Sequence, residues 1–387
     1  MTKSDDKVPA LRFKGFTDEW EQRKLGDIAK TYSGGTPSVT NKNFYNNGYI
    51  PFIKSGEIGS SKTEQKINND GLNNSSAKLV KTGTLLYALY GATSGKAAIS
   101  PINGAINQAV LAIIPQTNVN RFIYEWLNKN KPRITEKYLQ GGQGNLSAKI
   151  IKQINIFTTS KNEELKISDI LGIVEKIISL QQRKVNNYFQ YKTQLINTIF
   201  ENKNWQMIKL KDVLSVPKKE LANVTTKSQI MTVKLNLGGI VDGANRDTLN
   251  PSATKYYIRH AGQFIFGKQN FFNGSMAIVP KAMDEKVTSQ DVPALNINNE
   301  KINSKFLLYY LSRKNFYKHT ERFATGTGSK RLHVDTLLNL KIRIPDISYQ
   351  NQIVSTLTLL DKKLQLETAK LNKLKQLKQF LLQNMFI

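Results

Sequence analysis

The sequence has no cysteine and only three histidines, His260, His319 and His333. Disulfides, thiolate zinc sites and cysteine nucleophiles are therefore excluded, and too few imidazoles remain for a histidine-based metal cluster. A cytoplasmic, reducing environment fits this composition. The opening residues, MTKSDDKVPALRF, lack the apolar core of a signal peptide. No uninterrupted apolar run approaches the roughly 20 residues that span a bilayer, so neither export by that route nor membrane embedding is expected. Acidic residues are also scarce: 29 Asp and Glu stand against 56 Lys and Arg, a net charge of +27 in 387 residues. Such an excess makes a polyanion the first partner to consider, nucleic acid above all; the bland alternative, a genome biased toward Lys, Asn and Ile, need not leave acidic residues so outnumbered.

Catalytic motifs are missing as well. Gly91-Ala92-Thr93-Ser94-Gly95-Lys96-Ala97 is one residue short of a phosphate loop, and Ala97 has no hydroxyl for Mg²⁺. Neither Gly141-Gly142-Gln143-Gly144 nor Gly326-Thr327-Gly328 supplies the third glycine of a dinucleotide fingerprint. No Asn-Pro-Pro-Tyr or Asp-Pro-Pro-Tyr element is present to hold a flipped base, and Asn250-Pro251-Ser252 reads as a turn. Glu64-Gln65-Lys66 has no Asp at a spacing that would complete a nuclease carboxylate motif. The chain is expected to hold no cofactor or metal and to catalyse nothing by itself.

What is present is a duplication. Trp20 followed by Lys24-Leu25-Gly26-Asp27-Ile28 returns at an offset of 185 as Trp205 followed by Lys209-Leu210-Lys211-Asp212-Val213. Thr82 to Leu89 with Ser94-Gly95-Lys96-Ala97-Ala98-Ile99 matches Ala261 to Phe266 with Asn273-Gly274-Ser275-Met276-Ala277-Ile278 at an offset of 179. Asn107-Gln108-Ala109-Val110 pairs with Ser289-Gln290-Asp291-Val292, and Phe122 and Leu127 pair with Phe306 and Leu311. Residues 162–200 and 348–386 then superpose without a gap at an offset of 186.

Those closing segments have heptad character. The first puts Ile167, Val174, Gln181, Tyr188 and Leu195 at a, and Leu171, Ile178, Val185, Lys192 and Ile199 at d; the second puts Ile353, Leu360, Glu367, Leu374 and Leu381 at a, and Leu357, Leu364, Leu371, Lys378 and Met385 at d. Eight of ten seam positions are apolar in each, and both seams break at the same two places. With no proline and Gly172 as the sole glycine, each is expected to be one helix of about 35 to 39 residues. A narrow apolar seam on so long a helix needs a partner, so the two helices are expected to pack on each other as an antiparallel coiled coil. Gln181 and Glu367 either set the register or are tolerated polar residues. The leader Leu11 to Phe16 is expected near the C-terminal end of the second helix, as the short 200–205 linker lies at the end of the first.

Between these helices, short apolar strings such as Gly83 to Leu89, Ala109 to Ile114, Gln263 to Phe266 and Leu340 to Ile344 read as strands, and Arg121 to Lys129 and Lys305 to Tyr317 as helices. The fold class expected is α+β: two pseudo-twofold-related mixed α/β DNA-recognition domains joined by two long antiparallel helices that form a coiled coil. The expected segments are a leader at 1–19, a first recognition domain at 20–160, a first spacer helix at 161–202, a second recognition domain at 203–346 and a second spacer helix at 347–387. Donor-rich basic loops recur at equivalent places in the two domains. The candidate DNA-contacting residues are Lys54, Tyr90, Thr93, Ser94, Lys96, Gln143, Asn145 and Lys149 in the first, and Lys268, Gln269, Asn270, Phe272, Asn273, Thr327, Ser329, Lys330 and Arg331 in the second. Amides suit adenine, Arg and Lys suit guanine, and Lys and Ser suit phosphates; an ordinary polar loop has a similar inventory.

The leader Leu11-Arg12-Phe13 running to Glu19-Trp20, the Lys24 to Ile28 opening, Ile50-Pro51-Phe52-Ile53-Lys54, and a Gly-rich element before a long helix, in duplicated order over essentially the whole chain, resemble a specificity subunit of a type I restriction-modification enzyme. The resemblance implies two target recognition domains separated by helical spacers, double-stranded DNA as ligand, two methyltransferase subunits that supply S-adenosylmethionine chemistry, and ATP- and Mg²⁺-dependent translocase and nuclease subunits in the full complex. It also implies a bipartite, asymmetric target whose spacer the coiled coil sets. The alternative is a stand-alone two-module DNA-binding regulator. The second half departs from the first where Val216-Pro217-Lys218-Lys219 replaces Tyr32-Ser33-Gly34-Gly35-Thr36-Pro37.

Overall fold

The computed structural model describes residues 7–139, 145–243, 254–326 and 329–387. The chain separates into two compact units, Met1–Gln182 with Ala369–Ile387 and Arg183–Thr368. The division cuts through both long helices, Lys161–Phe200 and Ile347–Asn384, because half of each helix packs into each unit.

In unit 1 the apolar strings become an antiparallel four-stranded sheet in the order 29–33, 110–115, 85–88, 97–99. The whole of Leu85-Leu86-Tyr87-Ala88 is buried, as a strand covered on both faces requires. A second sheet, in the order 66–67, 50–53, 104–106, 78–80, contains a parallel pair in which Phe52 faces Ala105. A two-stranded ribbon of Glu21–Lys24 with Asn155–Thr158 closes the unit beside the long helix. The helix expected at 121–129 runs from Asn120 to Leu139 and passes through Pro132.

Unit 2 repeats part of this plan. Strands 214–215, 294–297, 264–266 and 276–278 form the same order of sheet, and Gln206–Lys209 pairs with Lys341–Ile344 as the ribbon. It replaces the second sheet by a three-stranded one, 221–222, 256–258, 287–289, and a hairpin of 231–233 with 240–242. The single helix expected at 305–317 is two, Ser304–Leu311 and Lys314–His319. Arg313 between them is extended, with its guanidinium 4.1 Å from the Tyr310 ring centroid and Nη1 donating to the Phe200 carbonyl at 3.1 Å.

The two cores are built alike, and each takes an aromatic from the long helix that ends there. In unit 2, Phe200 from the end of the first long helix packs on Trp205 and Phe306, with ring centroids 6.0 and 5.1 Å apart. In unit 1, Phe386 just past the second long helix packs on Trp20 and Phe122 at 6.3 and 4.9 Å. Lys129 Nζ donates to the Phe386 carbonyl at 2.9 Å, as Arg313 does for Phe200. The leader completes unit 1: Leu11 N donates to the Asn384 carbonyl at 2.8 Å, and Arg12 grips buried Glu163 through Nε and Nη2 at 2.7 and 2.9 Å.

The seam interruptions have a structural account. In unit 1, Lys378 lies 3.2 Å from Glu175 and 3.5 Å from buried Glu125, and Arg121 pairs with both carboxylates. Burial pushes Glu125 above the usual carboxylate range. Gly172 makes room for this cluster, since a Cβ there would sit 3.3 Å from Arg121 Nε. In unit 2, Lys192 pairs with Asp361, which also accepts from the Tyr309 hydroxyl. Glu367, 1% exposed, faces Lys184 at 3.2 Å and Lys363 at 3.4 Å. Charges at seam positions thus come with partners, as burial demands.

Phe386→Ala should cost about 3–5 kcal/mol. Hydrogen exchange should show lost protection in the 120–139 helix and little change around 304–319, and Phe200→Ala should give the reverse pattern.

Candidate nucleic-acid interface

The loop that follows Leu85–Ala88 is a tight, internally bonded turn. Gly91 and Gly95 both take φ of +80°, Gly95 N donates to the Ala88 carbonyl at 2.9 Å, and Lys96 N to the Thr93 carbonyl at 2.9 Å. A Cβ on Gly95 would fall 2.7 Å from Thr135 Cγ2, so the loop lies directly on the 120–139 helix. Leu146 N donates to the Leu89 carbonyl at 3.1 Å, which draws the 145–149 segment to the base of the same loop. Tyr90, Thr93 and Lys96 are half-buried there, whereas Asn145 and Lys149 are exposed. Lys149 stands on a short helix, Ala148–Lys152, capped by the Ser147 side chain. Ser94 is buried and its hydroxyl donates to the Leu89 carbonyl at 2.9 Å. Lys54 stands apart from this group, at the end of strand 50–53 in the second sheet. Gln143 lies outside the described residues.

In unit 2 the matching loop is anchored by Lys268 N on the Asp291 carbonyl at 2.9 Å and by Leu332 N on the Lys268 carbonyl at 2.8 Å. The second bond brings the 329–331 segment to the base of the loop, as the Leu146–Leu89 bond does in unit 1. The Gln269 amide, oriented with its oxygen toward Arg331, accepts from Nη2 and Nε at 2.8 and 3.2 Å, and Arg331 also lies 3.5 Å from Asp291. Asn270 and Asn273 bond each other through their amides at 3.2 Å, and Lys318 reaches Asn273 at 3.0 Å. Phe272 is buried. Ser329 and Lys330 are exposed, and Lys330 pairs with Glu321 at 3.0 Å. Thr327 lies outside the described residues. A cavity of about 270 Å³ opens between Gln269, Asn270, Ser275, Thr288 and Asp291.

A second cavity, of about 310 Å³, is lined by residues that the sequence pattern did not mark as DNA contacts: Lys218, Lys219, Arg259 and Gln290 beside Lys268. Its sequence signals were the departure of the 216–219 segment from the first half and the repeat pairing of Gln290 with Gln108. Arg259 is 6% exposed, and burial pushes its guanidinium down to about 10. Among the described residues, no group of three or more His, Cys, Asp or Glu is placed to hold a metal ion, and no helix is long and apolar enough to cross a membrane.

Two basic modules, each with polar loops gathered at one sheet end and a long helix behind, define a duplicated DNA-recognition protein. A family model described as the type I restriction modification DNA specificity domain matches residues 17–187 and again 202–376, and the chain belongs to that family. It is 24% identical over 372 residues to the type I restriction enzyme MjaIX specificity subunit of Methanocaldococcus jannaschii, covering 84% of this chain and 83% of that one. It is 28% identical over 170 residues to the EcoR124I/EcoR124II specificity subunit of Escherichia coli, a match that spans only 42% of each chain. The fold is that of the type I restriction-modification system S subunit from M. genitalium, with a TM-score of 0.64 at 15% identity over 98% of this chain and 99% of that one.

Ser94→Ala removes one internal hydrogen bond and should lower stability by about 1 kcal/mol in a thermal melt while leaving duplex affinity of the folded protein unchanged. Lys149→Ala, on an exposed side chain, should show the opposite split.

Proposed function

We propose that this chain is the non-catalytic specificity subunit of a type I restriction-modification complex, in which each domain reads one half of an asymmetric bipartite target. The observation that carries the reading is the duplication itself: two specificity-domain matches, each joining an α/β module to a long helix, in one chain. The modules share the four-stranded sheet and the ribbon but differ in their remaining strands and loops, which supports two different half-sites. The candidate contact residues named above, apart from buried Ser94 and Phe272 and including Gln143 and Thr327, are proposed to contact the duplex. Amide and guanidinium groups such as Gln269 and Arg331 would address base edges, and Lys96, Lys149 and Lys268 phosphates.

The long helices, of 40 and 38 residues, are proposed to set the number of unspecified base pairs between half-sites. Two methyltransferase subunits would supply the S-adenosylmethionine chemistry, and translocase and nuclease subunits would bring ATP and Mg²⁺, all within the cytoplasm. Exposed apolar side chains on the helices support such docking. Ile173, Ile177 and Leu180 follow helical spacing on the first helix, and Leu359 and Leu366 recur on the second at an offset of 186 from Ile173 and Leu180. Apolar residues exposed at helical spacing mark a protein-binding face.

Co-expression with a cognate methyltransferase followed by genome-wide mapping of modified adenines tests the reading. One bipartite motif is expected. Exchange of residues 20–157 for the corresponding domain of a relative should change one half-site, and a change in both would refute the assignment of one domain to each. Deleting one heptad from 167–199 together with one from 353–385 shortens each helix by about 10 Å, or about three base pairs of duplex, and should shorten the spacer accordingly. A spacer of unaltered length would remove the helices' proposed role.

A further inference from the structure

In the second domain the cavity beside Lys268 combines four cationic side chains, Lys218, Lys219, Arg259 and Lys268, with the Gln290 amide and one carboxylate, Asp335. Arg259 is the telling residue. Its Nε donates to the Thr288 hydroxyl at 2.6 Å and its Nη2 to the Val292 carbonyl at 3.0 Å, both neutral acceptors, and the guanidinium carbon lies 5.5 Å from the Tyr257 ring centroid. Among the described residues no carboxylate forms an ion pair with Arg259, Lys218, Lys219 or Lys268. Burying a cation without a counter-charge is unfavourable, and here two donor bonds hold it in one orientation against the cavity wall. With the Nε hydrogen and one Nη2 hydrogen engaged, the Nη1 hydrogens and the second Nη2 hydrogen remain to donate to an oxyanion.

The location narrows the source of that anion. The cavity adjoins Lys268, whose backbone is tied both to Asp291 and to Leu332, next to the 329–331 segment, so it opens beside the loops already assigned to the duplex. Lys218 and Lys219 are exposed at its rim. Its volume of about 310 Å³ accommodates a phosphate together with part of its sugar. The first domain lacks this arrangement. There Thr36 Oγ1 donates to Gln108, the counterpart of Gln290, at 2.7 Å, and the 34–37 segment has no lysine.

We infer that Arg259, Lys218, Lys219, Lys268 and Gln290 seat one backbone phosphate of the DNA duplex beside the second half-site. The inference rests on the DNA-reading function proposed above. The phosphate clamp fixes where the second domain sits on the duplex and contributes to binding of any sequence, while neighbouring loops select the bases.

The test uses the full chain assembled with its methyltransferase. Affinity for target and scrambled duplexes is measured over a salt series for the wild type, for Lys218→Gln with Lys219→Gln, and for Arg259→Lys. The double lysine variant alters only exposed side chains, and a thermal melt accompanies each. Expected is a fall of about 0.9 in the slope of log affinity against log salt for each phosphate that a variant no longer neutralises. Target and scrambled duplexes should weaken by the same factor, with the methylated motif unchanged. A methylphosphonate placed at successive positions of the second half-site should weaken the wild type at one position and the double lysine variant less there. An unaltered salt slope, or a loss confined to the target duplex, overturns the inference. So does a wild type whose melting temperature rises with inorganic phosphate while the variants keep the full salt slope, since the pocket would then serve a free anion. Failure of the wild type to bind any duplex would instead refute the DNA-reading function, and it is seen before any variant is made.

Discussion

Each unit depends on an aromatic plug delivered by a long helix. Trp20 and Phe122 in one core, and Trp205 and Phe306 in the other, leave a gap that Phe386 and Phe200 fill. A fully buried aromatic contributes about 2–3 kcal/mol through area alone, and its edge-to-face contacts add to that. The helix end is thereby fixed to the module rather than left to fray. The backbone carbonyl of each Phe is held by a cation of the recognition domain, Lys129 or Arg313, so plug and cap are one device used twice.

Much of this was legible because a helix with a strict heptad seam declares both its length and its need for a partner. The offset of 186 between residues 162–200 and 348–386 anticipated the two long helices nearly to the residue. The seam also flagged Lys192 and Lys378 as exceptions without revealing their purpose. Their partners are Asp361 and Glu175 on the opposing helix, and in unit 1 Glu125 from the 120–139 helix, which only tertiary packing brings near. Gly172 was conspicuous for the same reason, and Arg121, packed against it, supplies the explanation. The break at Arg313 was hidden because nothing in Leu311-Ser312-Arg313-Lys314 forbids a helix; stacking on Tyr310 and the bond to Phe200 favour the kink.

The recognition loops were legible as loops but not as contacts. Composition marks donors; it does not say which are already satisfied. Ser94 gives its hydroxyl to Leu89, Phe272 is buried, and Lys330 has Glu321, whereas Asn145 and Lys149 remain exposed. Arg259 shows the converse. Within Tyr257-Ile258-Arg259-His260 nothing marks the arginine as special, and its interest comes wholly from burial among neutral acceptors. The duplication also misleads at this level, since Gln108 and Gln290 occupy equivalent positions in differently charged surroundings.

The placement of Phe386 has a consequence for synthesis on the ribosome. Trp20 and Phe122 emerge early, yet the residue that seals their core is made only after the whole of 183–368. Unit 2 needs nothing later than its own 347–368 segment. The module encoded first is therefore the one whose last residues are made last.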